Sequence, residues 1–126
     1  MSGFDSGAVM RAAVSGLCWV VPATLANAAA RSAGVDALVL LCFLLIMAGF
    51  AFAGYAAARE APESPLVHAA AAGFLTFLVV QGVLVVVTIA RGDTPSLPGI
   101  SFLALLAACT GMLGGLVAVR GLRAAR

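Results

Sequence analysis

Few side chains in this sequence can take part in chemistry, and the most notable are two amides inside apolar segments. Asn27 and Gln81 each need hydrogen-bond partners when they are buried. Thr76 lies five residues before Gln81, and Pro22 leaves the carbonyl group of Cys18 without its helical partner. These residues indicate either hydrogen bonds between helices or a short polar path through the protein.

The residue types that enzymes and metal sites use are sparse and scattered. His68 is the single histidine, and Cys18, Cys42 and Cys109 include no Cys-x-x-Cys pair. No nucleophile motif and no glycine-rich phosphate loop is recognisable. We therefore predict a non-enzyme with no catalytic residue, metal site or cofactor. We expect His68 to be solvated or to face lipid, since one histidine makes a poor ligand set.

The composition points to a membrane protein. Of the 126 residues, 63% are hydrophobic and 10% are charged, and the mean hydropathy is +1.16. Soluble domains have about a quarter charged residues. The composition therefore argues against an ordinary water-soluble enzyme, a disordered chain and a nucleic-acid-binding domain.

Apolar residues are concentrated in four long blocks. These cover residues 9–30, 37–58, 66–90 and 100–119. About 20 helical residues cross a hydrocarbon layer of about 30 Å, and a helix satisfies its own backbone polar groups in lipid. The blocks lack the alternation that is typical of membrane β-strands. We predict an all-α membrane protein, with residues 1–126 forming a single bundle of four transmembrane helices.

Polar residues mark the ends of the blocks. Asp36 is the expected cap of the second helix, and Ser64 with Pro65 matches the start of the third. Each block closes on an arginine, whose guanidinium group favours a helix C-terminus and reaches the lipid headgroups. These arginines are Arg31, Arg59, Arg91 and Arg120.

The distribution of arginines predicts the orientation. With four spans both termini lie on one side, and the span ends on that side have five arginines nearby against two on the other side. The five are Arg11, Arg59, Arg120, Arg123 and Arg126, and the two are Arg31 and Arg91. The positive-inside rule therefore predicts a multi-pass protein of the inner (plasma) membrane with cytoplasmic termini. Its basic tail is expected to contact anionic membrane lipids.

The first block also has features of a signal peptide. Arg11 supplies a charge, residues 12–21 are apolar, Pro22 interrupts them, and residues 26–28 resemble a cleavage site. The acidic Asp5 near a single arginine argues for a retained helix, as does the next apolar block following after a short turn. Cleavage of residues 1–28 is the alternative, and it would leave three spans.

Two pairs of similar segments suggest an internal repeat. Residues 11–16 are similar to residues 68–73, and residues 53–59 are similar to residues 114–120. A parallel duplication of a two-helix hairpin would relate the halves by an axis along the membrane normal. Chance similarity between alanine-rich segments is the alternative.

Small residues recur along the fourth block with the spacing of a helix-packing face. Lipid tails are as apolar as leucine, so membrane helices associate where small residues let their backbones approach. We name this face the α4 stripe; it contains Ala104, Ala108, Gly111, Gly115 and Ala118. Gly49 and Ala53 begin a shorter stripe in the second block. Packing inside the chain and docking of another protein are the two uses of such a stripe.

The layout also resembles that of a known group of proteins. The chain resembles the small, uncharacterised four-span proteins of bacterial inner membranes. The resemblance lies in residues 52–59, the short proline-containing turn after them and residues 68–74. The resemblance implies an architecture and a bacterial inner membrane. It supplies no catalytic residue.

Two functions follow from these observations. The favoured one is a membrane protein that acts by helix packing through the α4 stripe, as a homo-oligomer or as an accessory subunit of a larger membrane complex. The alternative is a small dimeric transporter or channel whose polar path contains Pro22, Asn27, Thr76 and Gln81. No Asp or Glu lies inside a block, which argues against transport that depends on a carboxylate in the membrane.

Overall fold

Four α-helices make up almost all of the structure, a computed structural model that describes residues 3–125. They are α1 (Ser6–Ser32), α2 (Asp36–Glu60), α3 (Pro65–Ala90) and α4 (Leu97–Ala124). Each helix contains the apolar block that predicts it, and no strand occurs within residues 3–125. All four are long and apolar enough to cross a membrane. The prediction of an all-α bundle of four transmembrane helices is confirmed, and the chain is a multi-pass membrane protein.

The helix starts agree with the sequence at one place and differ at another. Ser64 occupies the N-cap position of α3 and Pro65 is its first helical residue, as expected, although the Ser64 side chain makes no capping hydrogen bond. At α2 the N-cap residue is Val35. The expectation that Asp36 caps this helix is wrong, because Asp36 is already part of its first turn.

The bundle has two distinct ends. At the termini end α1 begins and α4 finishes, and the helical tail continues through Arg123 to Ala124, while Arg126 lies outside the described residues. At the hairpin end the chain turns from α1 to α2 and from α3 to α4. Gly34 and Gly92 lie in these turns with φ of +70° and +82°, a conformation that residues with a Cβ rarely adopt.

The helices α2 and α3 form a central pair. The helix α1 packs against both of them on one side and α4 packs against both on the other, so that within residues 3–125 the backbones of α1 and α4 do not come close to each other. A two-fold relation between hairpins would match the α2–α3 contact with an α1–α4 contact. The duplication therefore stays a prediction from the sequence.

Side-chain size separates the interior from the surface. The largest fully buried side chains are His68, Val20 and Thr76, and most of the other buried positions are alanine or glycine. By contrast, Leu25 is 67% exposed and Leu105 is 65% exposed. Such an apolar surface is rare on soluble monomers, whereas in lipid it is favourable and leaves small residues to bring the helices together.

The close packing is concentrated toward the termini end. In α3 all buried residues lie between His68 and Phe77, and in α4 they lie between Ala107 and Ala118. Toward the hairpin end, the second half of α3 and the first ten residues of α4 contain no buried residue. Space is therefore left between the helices in that half.

Candidate functional site

Contacts between backbones close the half of the bundle at the termini end. A Cβ placed on Gly114 would overlap the carbonyl group of Ala51, and a Cβ on Gly54 would overlap that of Gly111. On the α3 side, a Cβ on Gly111 would lie 2.6 Å from the carbonyl oxygen of Ala69. The helix α4 thus lies directly on the backbones of α2 and α3. No side chain or solvent fits between them at this depth.

The α4 stripe lies partly inside the chain. Gly111, Gly115 and Ala118 are buried against the chain's own helices, and Ala104 and Ala108 are half-buried. The sequence pattern missed Ala107 and Gly114 of the same helix, which are buried as well. They occupy the positions next to stripe residues, and one stripe cannot face both α2 and α3. The use of the α4 stripe to bind another protein stays a prediction.

The shorter stripe of α2 faces α1. A Cβ on Gly49 would overlap the side chain of Val20 and would lie 2.8 Å from Cδ1 of Trp19. Because Gly49 leaves this space, the indole of Trp19 lies against α2 and its Nε1 donates a hydrogen bond of 3.0 Å to the Leu45 carbonyl oxygen. Ala53 is fully buried in the same interface.

A cleft of about 360 Å³ lies in the hairpin half of the bundle, and all four helices line it. We name it the hairpin cleft. Its lining is Thr24, Asn27, Ala28, Arg31, Phe43, Ile46, Met47, Phe50, Phe77, Val80, Gln81, Leu84 and Leu103. The buried rings of Phe50 and Phe77 meet edge to face at its bottom, with centroids 6.3 Å apart. Phe77 lies 13 residues before Ala90, about 20 Å from the helix end at 1.5 Å per residue.

Two of the four predicted path residues line the hairpin cleft together. Gln81 contributes from α3 and Asn27 from α1. The Asn27 amide is also used structurally. Its Nδ2 donates to the Val39 carbonyl oxygen of α2 at 2.9 Å, and its Oδ1 accepts a hydrogen bond of 3.0 Å from Nε of Arg31. Asn27 therefore joins α1 to α2 and fixes the direction of the Arg31 side chain at the same time.

The other two predicted path residues lie elsewhere. Pro22 is exposed on the outside of α1, which continues as a helix through it. Thr76 is fully buried on the termini side of Phe77, and its hydroxyl group donates to the Ala72 carbonyl oxygen at 2.8 Å. Neither lines the hairpin cleft. The four residues therefore do not line one cavity within this chain, and a path formed by two copies stays a prediction.

Sequence reasoning missed two polar members of the hairpin cleft. Arg31 is more than the marker of a span end, because it follows Asn27 by four residues and so shares its helix face. The Thr24 hydroxyl oxygen is buried and has no hydrogen-bond partner within residues 3–125. The spacing of Thr24, Asn27 and Arg31, three and four residues apart, is the sequence signal that indicates this face.

A second, apolar groove adjoins the hairpin cleft. It has a volume of about 220 Å³ and runs between α1 and α3 on the outer surface. We name it the α1–α3 groove; its lining is Val21, Thr24, Leu25, Val79, Val80, Val83 and Leu84. Thr24, Val80 and Leu84 line both spaces. The two spaces therefore lie side by side, with these three side chains between them.

His68 lies far from the hairpin cleft, in a separate cluster at the termini end. It is 1% exposed, so the expectation of a solvated or lipid-facing histidine is wrong. Its Nε2 accepts a hydrogen bond of 2.9 Å from the Asp5 backbone N–H, and its Nδ1 lies 2.9 Å from the Ser64 carbonyl oxygen. Phe4 stacks on the ring at a centroid distance of 4.9 Å. The Ala8 backbone N–H binds the Asp5 carboxylate and lowers its pKa.

No cluster of three His, Cys, Asp or Glu side chains suited to a metal occurs within residues 3–125. Comparison of the chain with protein-family models, curated proteins and solved structures finds no match. The resemblance to four-span bacterial proteins therefore stays a prediction. What the fold offers is a cleft with one arginine and three uncharged polar side chains above an apolar floor.

Proposed function

We propose that this membrane protein is a small transporter and that the hairpin cleft is the site at which it takes up a small molecule. The observation that carries the proposal is that Asn27 and Gln81 face one common cleft. Pockets of about 300–1,000 Å³ with apolar walls and few polar groups are typical of small-molecule sites. The hairpin cleft has this size and composition, and the closed half below Phe50 and Phe77 supplies the barrier that a transporter needs.

The proposal includes a side of the membrane. Five arginines near the termini end against two near the hairpin end favour a cytoplasmic termini end, so the hairpin cleft opens away from the cytoplasm. A bacterial inner membrane is part of the same proposal and rests on the sequence resemblance. Association with a second copy, or with a larger membrane partner, remains a separate proposal that rests on the α4 stripe alone.

Cysteine labelling tests whether the cleft is open to water. In a variant whose three native cysteines are replaced by alanine, we expect Gln81→Cys to react with a membrane-impermeant thiol reagent from the non-cytoplasmic side only. The matched control is Val83→Cys, two residues along α3 and 61% exposed on the lipid-facing surface. We expect it to remain unlabelled, because a thiol in hydrocarbon does not ionise. Thr94→Cys in the α3–α4 connection reports that the reagent has access to that side.

The outcomes separate the two interpretations. Labelling of position 81 at a rate at least about tenfold above that of position 83 supports an aqueous cleft, since position 83 reports the hydrocarbon. If position 81 stays unlabelled from both sides while position 94 reacts, Gln81 serves only as a hydrogen-bonding group between helices. The proposed function is then wrong.

A further inference from the structure

We propose that the molecule taken up is an anionic amphiphile with a single alkyl chain, such as a fatty acid, whose carboxylate binds Arg31 and whose chain lies in the α1–α3 groove. The inference rests on the proposed function, because it names the ligand of the same cleft. It is carried by the combination of a fixed cation in the cleft and an apolar groove beside it.

Arg31 supplies the charge selectivity. It is the one charged side chain among the residues that line the hairpin cleft, and no carboxylate lines it. Its Nε donates to Asn27, whose other amide atom is held by the Val39 carbonyl oxygen. The two Nη groups of Arg31 have no hydrogen-bond partner within residues 3–125. Arg31 also forms no salt bridge there, since the single one joins Arg11 to Glu60. A guanidinium group held in this way presents two parallel N–H donors, which match the two oxygens of a carboxylate.

The uncharged polar groups continue the site inward. The Thr24 hydroxyl group lies where the hairpin cleft meets the α1–α3 groove, and its oxygen is buried without a partner. Gln81 adds an amide on the opposite wall. The Thr24 oxygen is enclosed by its neighbours, so a headgroup in the cleft meets Arg31 on one wall and the Gln81 amide on the other. The headgroup is therefore polar on more than one side.

The α1–α3 groove fits one alkyl chain. Apart from Thr24 its lining consists of valine and leucine side chains. It adjoins the hairpin cleft and opens on the lipid-facing surface, where Val83 and Leu25 are more than half exposed. A single chain can leave the cleft along this route and enter the bilayer. The groove of about 220 Å³ offers one such route, so a lipid with two chains is a poorer match.

The test is equilibrium binding of dodecanoate to the full chain in phosphatidylcholine nanodiscs at about pH 9, where the acid is ionised even if the membrane raises its pKa. We expect saturable binding that is at least about tenfold tighter than that of dodecanol, because hydrogen bonds to a charged group are worth about that factor. Arg31→Gln is expected to bring dodecanoate to the affinity of dodecanol. Arg91→Gln removes an arginine from the same end of the bundle but outside the cleft, and should change nothing.

Further arms locate the alkyl chain and protect the test against misfolding. Val83→Phe fills the α1–α3 groove and should weaken dodecanoate and dodecanol alike, while butanoate, which has the head without the chain, should not bind. In each variant, Trp19 fluorescence equal to that of the wild-type protein shows that the fold is kept. Equal binding of dodecanoate and dodecanol would overturn the carboxylate assignment, and equal binding of butanoate and dodecanoate would overturn the assignment of the groove. If neither binds while Gln81→Cys is labelled from water, this inference fails and the proposed function stands.

Discussion

Replacing Gly114 by alanine is expected to lower the free energy of unfolding by about 3 kcal/mol, the upper part of the usual range for overpacking. The added methyl group would overlap the carbonyl group of Ala51, which is backbone and cannot rotate away. The helix α4 would have to move from α2, which would also loosen the contact between Gly111 and Gly54. In an isolated helix the same change is favourable by about 1 kcal/mol, so the sign of the effect reports the helix contact.

Gly82→Ala is the matched control for this prediction. Gly82 lies in the second half of α3, and apart from the adjacent backbone of its own helix no atom lies within 4 Å of the position that an added methyl group would take, so its replacement should leave stability unchanged or raise it. Unfolding by a denaturing detergent can be followed through Trp19, the single tryptophan. A Gly114→Ala protein as stable as the Gly82→Ala protein would show that α4 does not lie against α2 as described.

Replacing His68 by alanine is expected to lower the free energy of unfolding by about 3 kcal/mol. The change removes one of the largest fully buried side chains and leaves a cavity, and losses of about 2–5 kcal/mol are usual for such truncations. It also leaves the Asp5 N–H without its acceptor and Phe4 without its stacking partner. We expect the segment before α1 to become sensitive to proteases at the same time.

A second variant separates the ring from its hydrogen bonds. His68→Phe keeps an aromatic ring beneath Phe4 but removes both ring nitrogens, so we expect a loss of about 1–2 kcal/mol. The measurement is the same detergent unfolding, combined with the rate of cleavage near Phe4. If His68→Ala unfolds at the wild-type detergent concentration and its N-terminal segment stays protected, the described cluster is not a structural element.

The number and position of the helices can be predicted from the sequence for a simple physical reason. An apolar run of about 20 residues has one stable form in lipid, so the four blocks lead directly to four helices. The surroundings of His68 cannot be predicted in this way. Its partners, Phe4 and Asp5, lie more than 60 residues away in the sequence, and no local pattern records such a contact.

Only some residues of the candidate site can be predicted from the sequence. Buried amides need partners, so Asn27 and Gln81 stand out from the apolar sequence. Their place in one cleft depends on where the packing of α3 ends, after Phe77, and hydropathy does not contain this information. Pro22 stands out for its missing N–H, yet it faces outward. The position of Arg31 at the end of an apolar block indicates only where the membrane span ends. Its place in the cleft follows from the helix face that it shares with Asn27.

The small residues of each helix mostly face inward and the large ones mostly face lipid, and paramagnetic broadening tests this arrangement without any substitution. In a bilayer that contains a lipid with a nitroxide on its acyl chain, nuclear spins that touch lipid relax faster. We predict strong broadening for the methyl groups of Leu105, Leu113 and Val117 of α4, which are all at least 60% exposed. The signals of Gly111 and Gly114 should stay sharp. Broadened glycine signals together with sharp leucine methyl signals would contradict the account.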